Sequence, residues 1–215
     1  MANILLFCIQ LKPQTKTFIF ALLLHCYKMN IGLLIIMSVY FFLPGAFANM
    51  APVFSKNILK WMAKPVDFGF KVRGKPLFGK NKTFRGFFVG FVYALIVVWV
   101  QKWLFLDYPI MREIAVIDYS AINIFMLAFL MSFGVLIGDA AESFFKRQRG
   151  VEPGRSWFPF DQLDFVFGFL IFTLWTVPWL VNKWYVALIL VITIPIFHVI
   201  FNIFGKLLKL KKTWI

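Results

Sequence analysis

Residues 87–106 read FFVGFVYALIVVWVQKWLFL, and this stretch decides the class of fold. Its single charged residue is Lys102, and an α-helix of about 20 mainly apolar residues spans the hydrocarbon core of a bilayer. Four other stretches have the same character: Ile31–Asn49, Ala121–Ile137, Phe165–Val181 and Trp184–Phe204. Only 15% of the chain is charged and 61% is hydrophobic, whereas a soluble domain has about a quarter of its residues charged. The sequence therefore predicts an all-α, polytopic membrane protein with about five transmembrane helices.

The basic residues are unevenly distributed among the segments that connect the predicted spans. Residues 55–86 hold nine lysines and arginines and residues 138–165 hold four, whereas residues 107–120 hold only Arg112. Since basic residues favour the cytoplasmic side of a membrane, segments 55–86 and 138–165 and the C-terminus are predicted to be cytoplasmic, with the N-terminus outside. The same bias accounts for the net charge of +14 without nucleic acid as a partner. We expect a multi-pass protein of the cell (inner) membrane.

Residues 1–28 fit this plan poorly. Their apolar part, Phe18–Leu24, is too short to span a bilayer. Lys12, Lys16 and Lys28 would lie on the outer face, against the charge bias. We therefore expect residues 1–28 to be an extension or the product of a misassigned start, and residues 29–215 to form a single transmembrane domain.

The first polar stretch, residues 65–86, reads PVDFGFKVRGKPLFGKNKTFRG. Glycines let backbone N–H groups approach a phosphate closely, and lysines add positive charge. A plain positively charged loop is the alternative, but it would not require four glycines, or Thr83 beside Lys82. Residues 74–80 match the GxxxxGK part of a P-loop, yet Asn81 follows where Ser or Thr is needed, and no buried strand precedes them. The stretch indicates phosphate binding outside the P-loop class.

The second polar stretch, residues 138–165, carries most of the acidic side chains. Asp139 directly follows an apolar run, where a carboxylate is costly unless it serves a cation or a partner. Asp161 and Asp164 are three residues apart, which places both on one face of a helix. Carboxylates that converge beside Lys146 and Arg147 suit a Mg²⁺ ion that bridges phosphates. Capping of a helix N-terminus is the alternative for Asp161 taken alone.

Longer patterns in the two stretches carry a resemblance to a known family. The run G-D-x-x-x-S-F-x-K-R-x-x-G…P-x-D-Q-x-D-F begins at Gly138, and P-x-D-F-G…F-G-K-N-K-T-x-R-G begins at Pro65. Together they resemble the CDP-archaeol synthase family, within the superfamily of phosphatidate cytidylyltransferases. The resemblance covers residues 29–215, with Phe84 where the family usually has Trp. It has no counterpart for residues 1–28.

The resemblance implies transfer of a cytidylyl group from CTP to a membrane lipid phosphate, with Mg²⁺ as cofactor and pyrophosphate as the second product. The lipid would be an archaeol-type phosphate or phosphatidate, drawn from the bilayer. The implied metal ligands are Asp139, Asp161 and Asp164, and the implied catalytic residues are Asp161, Asp164, Lys146 and Arg147. The implied substrate-binding residues are Asn49, Lys80, Asn81, Lys82, Thr83, Arg85, Ser143, His198 and Asn202. For His198 and Asn202, polar packing between helices is an equal alternative.

Two other functions are alternatives to this one. A CDP-alcohol phosphotransferase would show a D-G-x-x-A-R start and a D-x-x-x-D end, whereas this chain has Asp139-Ala140-Ala141 and a D-x-x-D end. A non-catalytic transporter or scaffold would be expected to carry polar groups at mid-membrane and often an internal repeat. In this sequence the charged groups are expected on one face of the membrane and no internal repeat is seen, which favours the enzyme.

Overall fold

The computed structural model describes residues 30–152, 155, 157–174 and 183–207, the last seven as backbone only. The chain forms six α-helices within these ranges, and a short antiparallel hairpin between the first two. The helices are α1 (Ile31–Phe54), α2 (Phe84–Asp107), α3 (Pro109–Ile114), α4 (Ile124–Gln148), α5 (Phe160–Leu174) and α6 (Trp184–Leu207). The hairpin consists of β1 (Lys71–Val72) and β2 (Lys75–Pro76). The expected extension 1–28 lies outside the described residues.

The helical class predicted from the sequence is confirmed. α1 with the short 3₁₀ turn that follows it, α2 and α4 are each long and apolar enough to cross a membrane. α6 is apolar over Trp184–Ile200. The fourth predicted span begins within α5, and its residues from 175 onwards lie outside the described residues. The number of spans and their orientation therefore stay predictions.

One boundary differs from the prediction. The third span was predicted to end at Ile137, but α4 continues to Gln148. α5 begins at Phe160, which places Asp161 and Asp164 in its first turns, as expected. Residues 138–148 contain no proline, and alanine and glutamate favour helix, so nothing stops α4 at the membrane boundary. Gly150, with a positive φ of 77°, follows the end of the helix. The acidic and basic side chains of this stretch are therefore held on a rigid helix.

The contact between α4 and α5 depends on glycine. Gly134 and Gly138 are one turn apart on α4 and face Gly168 of α5. A Cβ atom added at Gly134 would lie 2.7 Å from the carbonyl oxygen of Gly168 and 2.9 Å from Cβ of Phe172. Small residues at four-residue spacing let two helix backbones approach closely. The two helices that carry the acidic residues are consequently packed backbone to backbone.

Aromatic side chains hold α1 against α5. Phe41 and Phe42 of α1 both meet Phe169 of α5 edge to face, with ring centroids 5.3 and 4.8 Å apart. Such pairs stabilise a core beyond the burial of their area. The three rings are buried. Large apolar side chains on the outer faces of the helices, Trp99 and Phe125 among them, are exposed, as expected of surfaces that face lipid.

Residues 65–83 form a compact unit between α1 and α2, which we call the basic lobe. Its two ends are tied together, because the Val66 N–H donates to the Lys82 carbonyl at 2.9 Å. β1 and β2 lie in its middle, joined by Arg73 and Gly74, both with positive φ (51° and 77°). Positive φ at both central residues is what a two-residue type I′ hairpin turn requires. Gly74 therefore has a conformational role in the turn, in addition to the phosphate contact that the glycine spacing suggests.

Candidate active site

A cavity of about 770 Å³ lies between the basic lobe and the ends of α1, α4, α5 and α6. It brings together two polar stretches, residues 65–86 and 138–165, that are separated in sequence by two predicted spans. Most of the residues predicted from the sequence line it: Asn49, Lys80, Asn81, Lys82, Asp139, Ser143, Lys146, Arg147, Asp161, Asp164 and His198. The cavity also has an apolar wall that includes Phe165, whose ring lies 5.6 Å from that of His198.

Three carboxylates converge on this cavity. Asp139, Glu142 and Asp164 each offer an oxygen atom, and these oxygens lie within 4.8 Å of one another. Asp139 and Glu142 share a face of α4 because they are three residues apart, and Asp164 comes from the first turns of α5. Hard divalent cations such as Mg²⁺ prefer carboxylate oxygens at this kind of spacing. We call these three residues the acidic cluster, and their donor set fits Mg²⁺.

Asp161 lies outside the acidic cluster, although the sequence assigned it to the metal. Its Oδ1 is 2.5 Å from the ammonium of Lys146, and its Oδ2 accepts a hydrogen bond from the Trp157 N–H at 2.8 Å. The second contact reaches back to the residues that precede α5, as a capping side chain does in a first helical turn. Glu142 stands in the cluster in its place. Sequence reasoning missed Glu142, although its three-residue spacing from Asp139 was a usable signal.

The lysines around the cluster are paired with its members. Lys82 of the basic lobe lies 2.5 Å from Oδ2 of Asp139, which joins the lobe to α4. Lys146 bridges Asp161 and Glu142, at 3.1 Å from the glutamate. These pairs are largely removed from solvent, so the desolvated charges depend on their partners. The pairs keep the acidic and basic side chains within reach of one ligand.

Arg147 differs from the lysines because part of its guanidinium is buried without a partner. Its Nε and Nη1 atoms make no hydrogen bond to any described residue, and the side chain lines the cavity. A guanidinium presents a planar fork of donors that matches a phosphate. Arg147 therefore offers unused donors at the edge of the cavity.

Two predicted substrate-binding residues, Thr83 and Arg85, lie outside the cavity lining. The Thr83 hydroxyl caps α2 by accepting from the Gly86 N–H at 3.2 Å. Arg85 Nη1 donates to the carbonyl oxygens of Lys56 at 2.9 Å and Ile58 at 3.3 Å. Thr83 is the last residue of the lobe and the N-cap of α2, and Arg85 lies in the first turn of that helix, which explains their structural partners. The side chain of Asn202 lies outside the described residues.

A second acidic residue that sequence reasoning missed is Asp67 in the basic lobe. It is 4% exposed and accepts hydrogen bonds from three backbone N–H groups. Burial alone would raise the pKa of this carboxyl, but the three N–H donors outweigh it and the pKa is lowered from its usual value. The carboxylate is therefore ionised at neutral pH. The signal in the sequence was a single acidic residue among the five basic residues of the lobe.

Comparison with known proteins confirms the resemblance seen in the sequence. A family model described as CarS-like CDP-archaeol synthase matches residues 30–215. CDP-archaeol synthase of Methanococcoides burtonii is 35% identical over 156 residues, which cover 69% of this chain and 89% of the relative. That of Pyrococcus abyssi is 34% identical over 176 residues (80% and 93%), and that of Methanococcus maripaludis 33% over 187 (86% and 99%).

A solved structure gives the same result for the fold. It is described as an intramembrane enzyme for archaeal membrane lipids biosynthesis, and it matches with a TM-score of 0.56 and 26% identity. The match covers 77% of this chain and 92% of that one. The apolar helices agree with this placement in the bilayer as a multi-pass protein. The chain belongs to the CDP-archaeol synthase family and is a cytidylyltransferase.

Proposed function

We propose that this protein transfers a cytidylyl group from CTP to an archaeol-type lipid phosphate, giving a CDP-activated lipid and pyrophosphate for phospholipid synthesis. The observation that carries the proposal is the meeting of the acidic cluster with basic residues from a separate part of the chain in one cavity. Phosphatidate, with ester-linked chains, is the alternative lipid. Family membership supports the archaeol-type substrate, because the curated relatives that match over most of their length are CDP-archaeol synthases.

The reaction requires positioning more than covalent participation by the protein. An oxygen of the lipid phosphate attacks the α-phosphorus of CTP, the new O–P bond forms, and the bond from that phosphorus to the pyrophosphate oxygen breaks. The lipid phosphate is itself the nucleophile, so the chain needs no serine or cysteine nucleophile in the cavity. The developing negative charge must be neutralised, and this is the main demand in phosphoryl-type transfer.

The acidic cluster would hold Mg²⁺, which when bound neutralises charge on the CTP phosphates. Asp139 and Glu142 would supply ligands from α4 and Asp164 from α5. Asp161 would act on Lys146, whose ammonium it holds at 2.5 Å, so that it positions a cation instead of binding the metal directly. This assignment keeps Asp161 and Lys146 in the site and gives them a joint role.

The basic side chains would bind the phosphates from two sides. Lys80, Asn81 and Lys82 line the cavity from the basic lobe, while Lys146 and Arg147 line it from α4, with Ser143 one turn earlier. The unpartnered nitrogens of Arg147 support a contact to a phosphate oxygen. Lys82 is already paired with Asp139, which suggests that it lies where the metal and the phosphates would meet.

The lipid would approach from the side of the cavity that faces the membrane helices. Asn49 of α1, Phe165 of α5 and His198 of α6 line this side. A substrate with two hydrocarbon chains stays in the bilayer while its phosphate reaches the cavity, which accounts for the location of the reaction in a membrane protein. We place the cavity on the cytoplasmic face, because the basic segments that surround it favour that side.

Label transfer tests the proposal. Purified protein is incubated with Mg²⁺, a lipid phosphate and CTP labelled at either the α- or the γ-phosphorus, and the lipid fraction is counted. We expect label in the lipid from α-labelled CTP only, with one pyrophosphate released per lipid labelled, and faster turnover of the ether-linked isoprenoid lipid than of phosphatidate. Absence of lipid label with both substrates would refute the proposal. Release of CMP from an added CDP-lipid and an alcohol would instead identify a phosphotransferase.

A further inference from the structure

The carboxylate of Asp67 lies at the centre of the basic lobe and is fully engaged with its backbone. Oδ1 accepts from the Gly69 N–H at 2.9 Å, and Oδ2 accepts from the N–H groups of Phe78 at 2.9 Å and Gly79 at 3.1 Å. The first donor precedes the hairpin and the other two follow it. One side chain therefore joins the two halves of the lobe across residues 70–77.

The donors that Asp67 fixes directly precede the residues proposed to bind CTP. Gly79 is followed by Lys80, Asn81 and Lys82, all of which line the cavity. Gly79 itself has a positive φ of 93°, so it sets the direction in which the chain continues towards Lys80. Apart from Asp67, the backbone ties of this part of the lobe include the Leu77 N–H to the Phe70 carbonyl at 2.9 Å.

We infer that Asp67 is a positioning residue for CTP: its carboxylate fixes the backbone of residues 78 and 79 and thereby places Lys80, Asn81 and Lys82 against the phosphates. This inference rests on the proposed function for the identity of the ligand. The ordering of the lobe by Asp67 does not depend on nucleotide and rests on the three hydrogen bonds. The effect on CTP rests in addition on the position of Asp67 in the cavity lining.

The charge of Asp67 is essential to this role. An ionised carboxylate only accepts hydrogen bonds, and both of its oxygens are used here. Asparagine has the same shape, but one oxygen is replaced by an NH₂ group that would face a backbone N–H. At least one of these three part-buried hydrogen bonds would then lose its acceptor, which is costly. Asp67→Asn therefore tests the acceptor role at almost unchanged volume.

The experiment has two readouts on each purified variant. Hydrogen exchange of residues 68–82 is measured on the protein without nucleotide, with residues 89–98 of α2 as an internal reference. Binding of CTP is measured by equilibrium titration, and KM for CTP is compared with kcat. For Asp67→Asn we expect exchange of the lobe to be about 10-fold faster or more, unchanged exchange in α2, and a KM for CTP raised about 10-fold with a smaller change in kcat.

Asp118→Asn is the matched control. Asp118 also accepts from a backbone N–H, that of Ser120 at 2.9 Å, but in the loop between α3 and α4 at the other end of α4. The Asp118→Asn variant should show wild-type hydrogen exchange in the lobe and wild-type binding of CTP. Asp67→Glu keeps the charge and both acceptors, and should recover part of the slow exchange and of the CTP binding. Glutamate thus remains informative if the asparagine variant does not fold.

Three results would overturn the inference. Unchanged lobe exchange in Asp67→Asn would mean that the carboxylate does not order the lobe. Faster exchange with CTP binding within about threefold of wild type would separate the lobe from nucleotide binding. An equal increase of the exchange rate in the lobe and in α2 would mean that Asp67 has a general structural role. If the wild-type protein failed to bind CTP, the proposed function would fail, while the exchange comparison would still decide whether Asp67 orders the lobe.

Discussion

Replacement of Gly138 by alanine tests whether the backbone contact of α4 with α5 sets the geometry of the acidic cluster. The added Cβ would meet the backbone of α5, with the Asp164 carbonyl oxygen as the nearest atom, the Asp164 carbonyl carbon at 3.0 Å and Gly168 Cα at 3.1 Å. Ordinary contact begins at 3.4 Å. Backbone atoms cannot rotate away as a flexible side chain can, so the two helices must separate.

The size of the effect follows from these distances. To restore ordinary contact with the Asp164 carbonyl oxygen, the two helices must move apart by about 1 Å. Packed interiors are too dense to accommodate the added methyl group in any other way. This movement carries Asp164 away from Asp139 and Glu142, whose oxygens now lie within 4.8 Å of its own. A misplacement of about 1 Å at a reacting centre can cost about 100-fold in rate. We therefore expect kcat for CDP-lipid formation to fall by about this factor.

The assay combines turnover with thermal unfolding in detergent. Gly45→Ala is the control, since its Cβ would meet only side-chain atoms at closest range, Cδ2 of Phe169 and Cγ2 of Val135, both at 2.9 Å. Overpacking of this kind costs about 1–3 kcal/mol of stability, and the folded fraction should turn over CTP near the wild-type rate. Turnover by Gly138→Ala within about threefold of wild type would refute the reasoning.

Three further changes test other parts of the site. Lys82→Ala should raise KM for CTP by about 10-fold or more, because a charge-assisted contact to phosphate is lost. Lys60→Ala, in the segment before the lobe, should leave KM unchanged. Equal effects of the two changes would mean that the basic residues of the lobe only set the membrane orientation. Asp161→Asn should lower turnover about 100- to 1,000-fold by releasing Lys146, while insertion in the membrane is kept; activity within a few-fold of wild type would remove this role. A chain that begins at Met29 should insert and turn over CTP as the full chain does, and a large loss of lipid turnover would show that residues 1–28 contribute.

The helical class and most of the cavity lining could be predicted because both follow from strong local signals. Runs of about 20 apolar residues have few alternatives to a membrane helix. A charged side chain at the end of such a run, such as that of Asp139, is too costly there to be incidental. Asp139 and Lys146, which were both singled out from the sequence, line the same cavity in the structure.

The details in which the structure differs from the sequence prediction depend on side-chain direction and on packing, which the sequence does not state. Asp161 and Asp164 share a helix face, but only Asp164 joins the acidic cluster with Asp139 and Glu142, while Asp161 pairs with Lys146. Thr83 and Arg85 fit a phosphate-binding pattern, but α2 starts at Phe84. Thr83 therefore caps the helix, and Arg85 donates to backbone carbonyl oxygens.

The dependence of turnover on Mg²⁺ in Asp164→Asn tests the central claim most directly. The initial rate of CDP-lipid formation is measured from CTP and an archaeol-type phosphate over a range of free Mg²⁺, with Asp118→Asn as the matched control. We expect the wild type and the control to share one Mg²⁺ dependence, and Asp164→Asn to be at least about 100-fold slower at every concentration because a metal ligand is lost. A rate for Asp164→Asn within a few-fold of wild type at all concentrations would contradict the acidic cluster as the metal site.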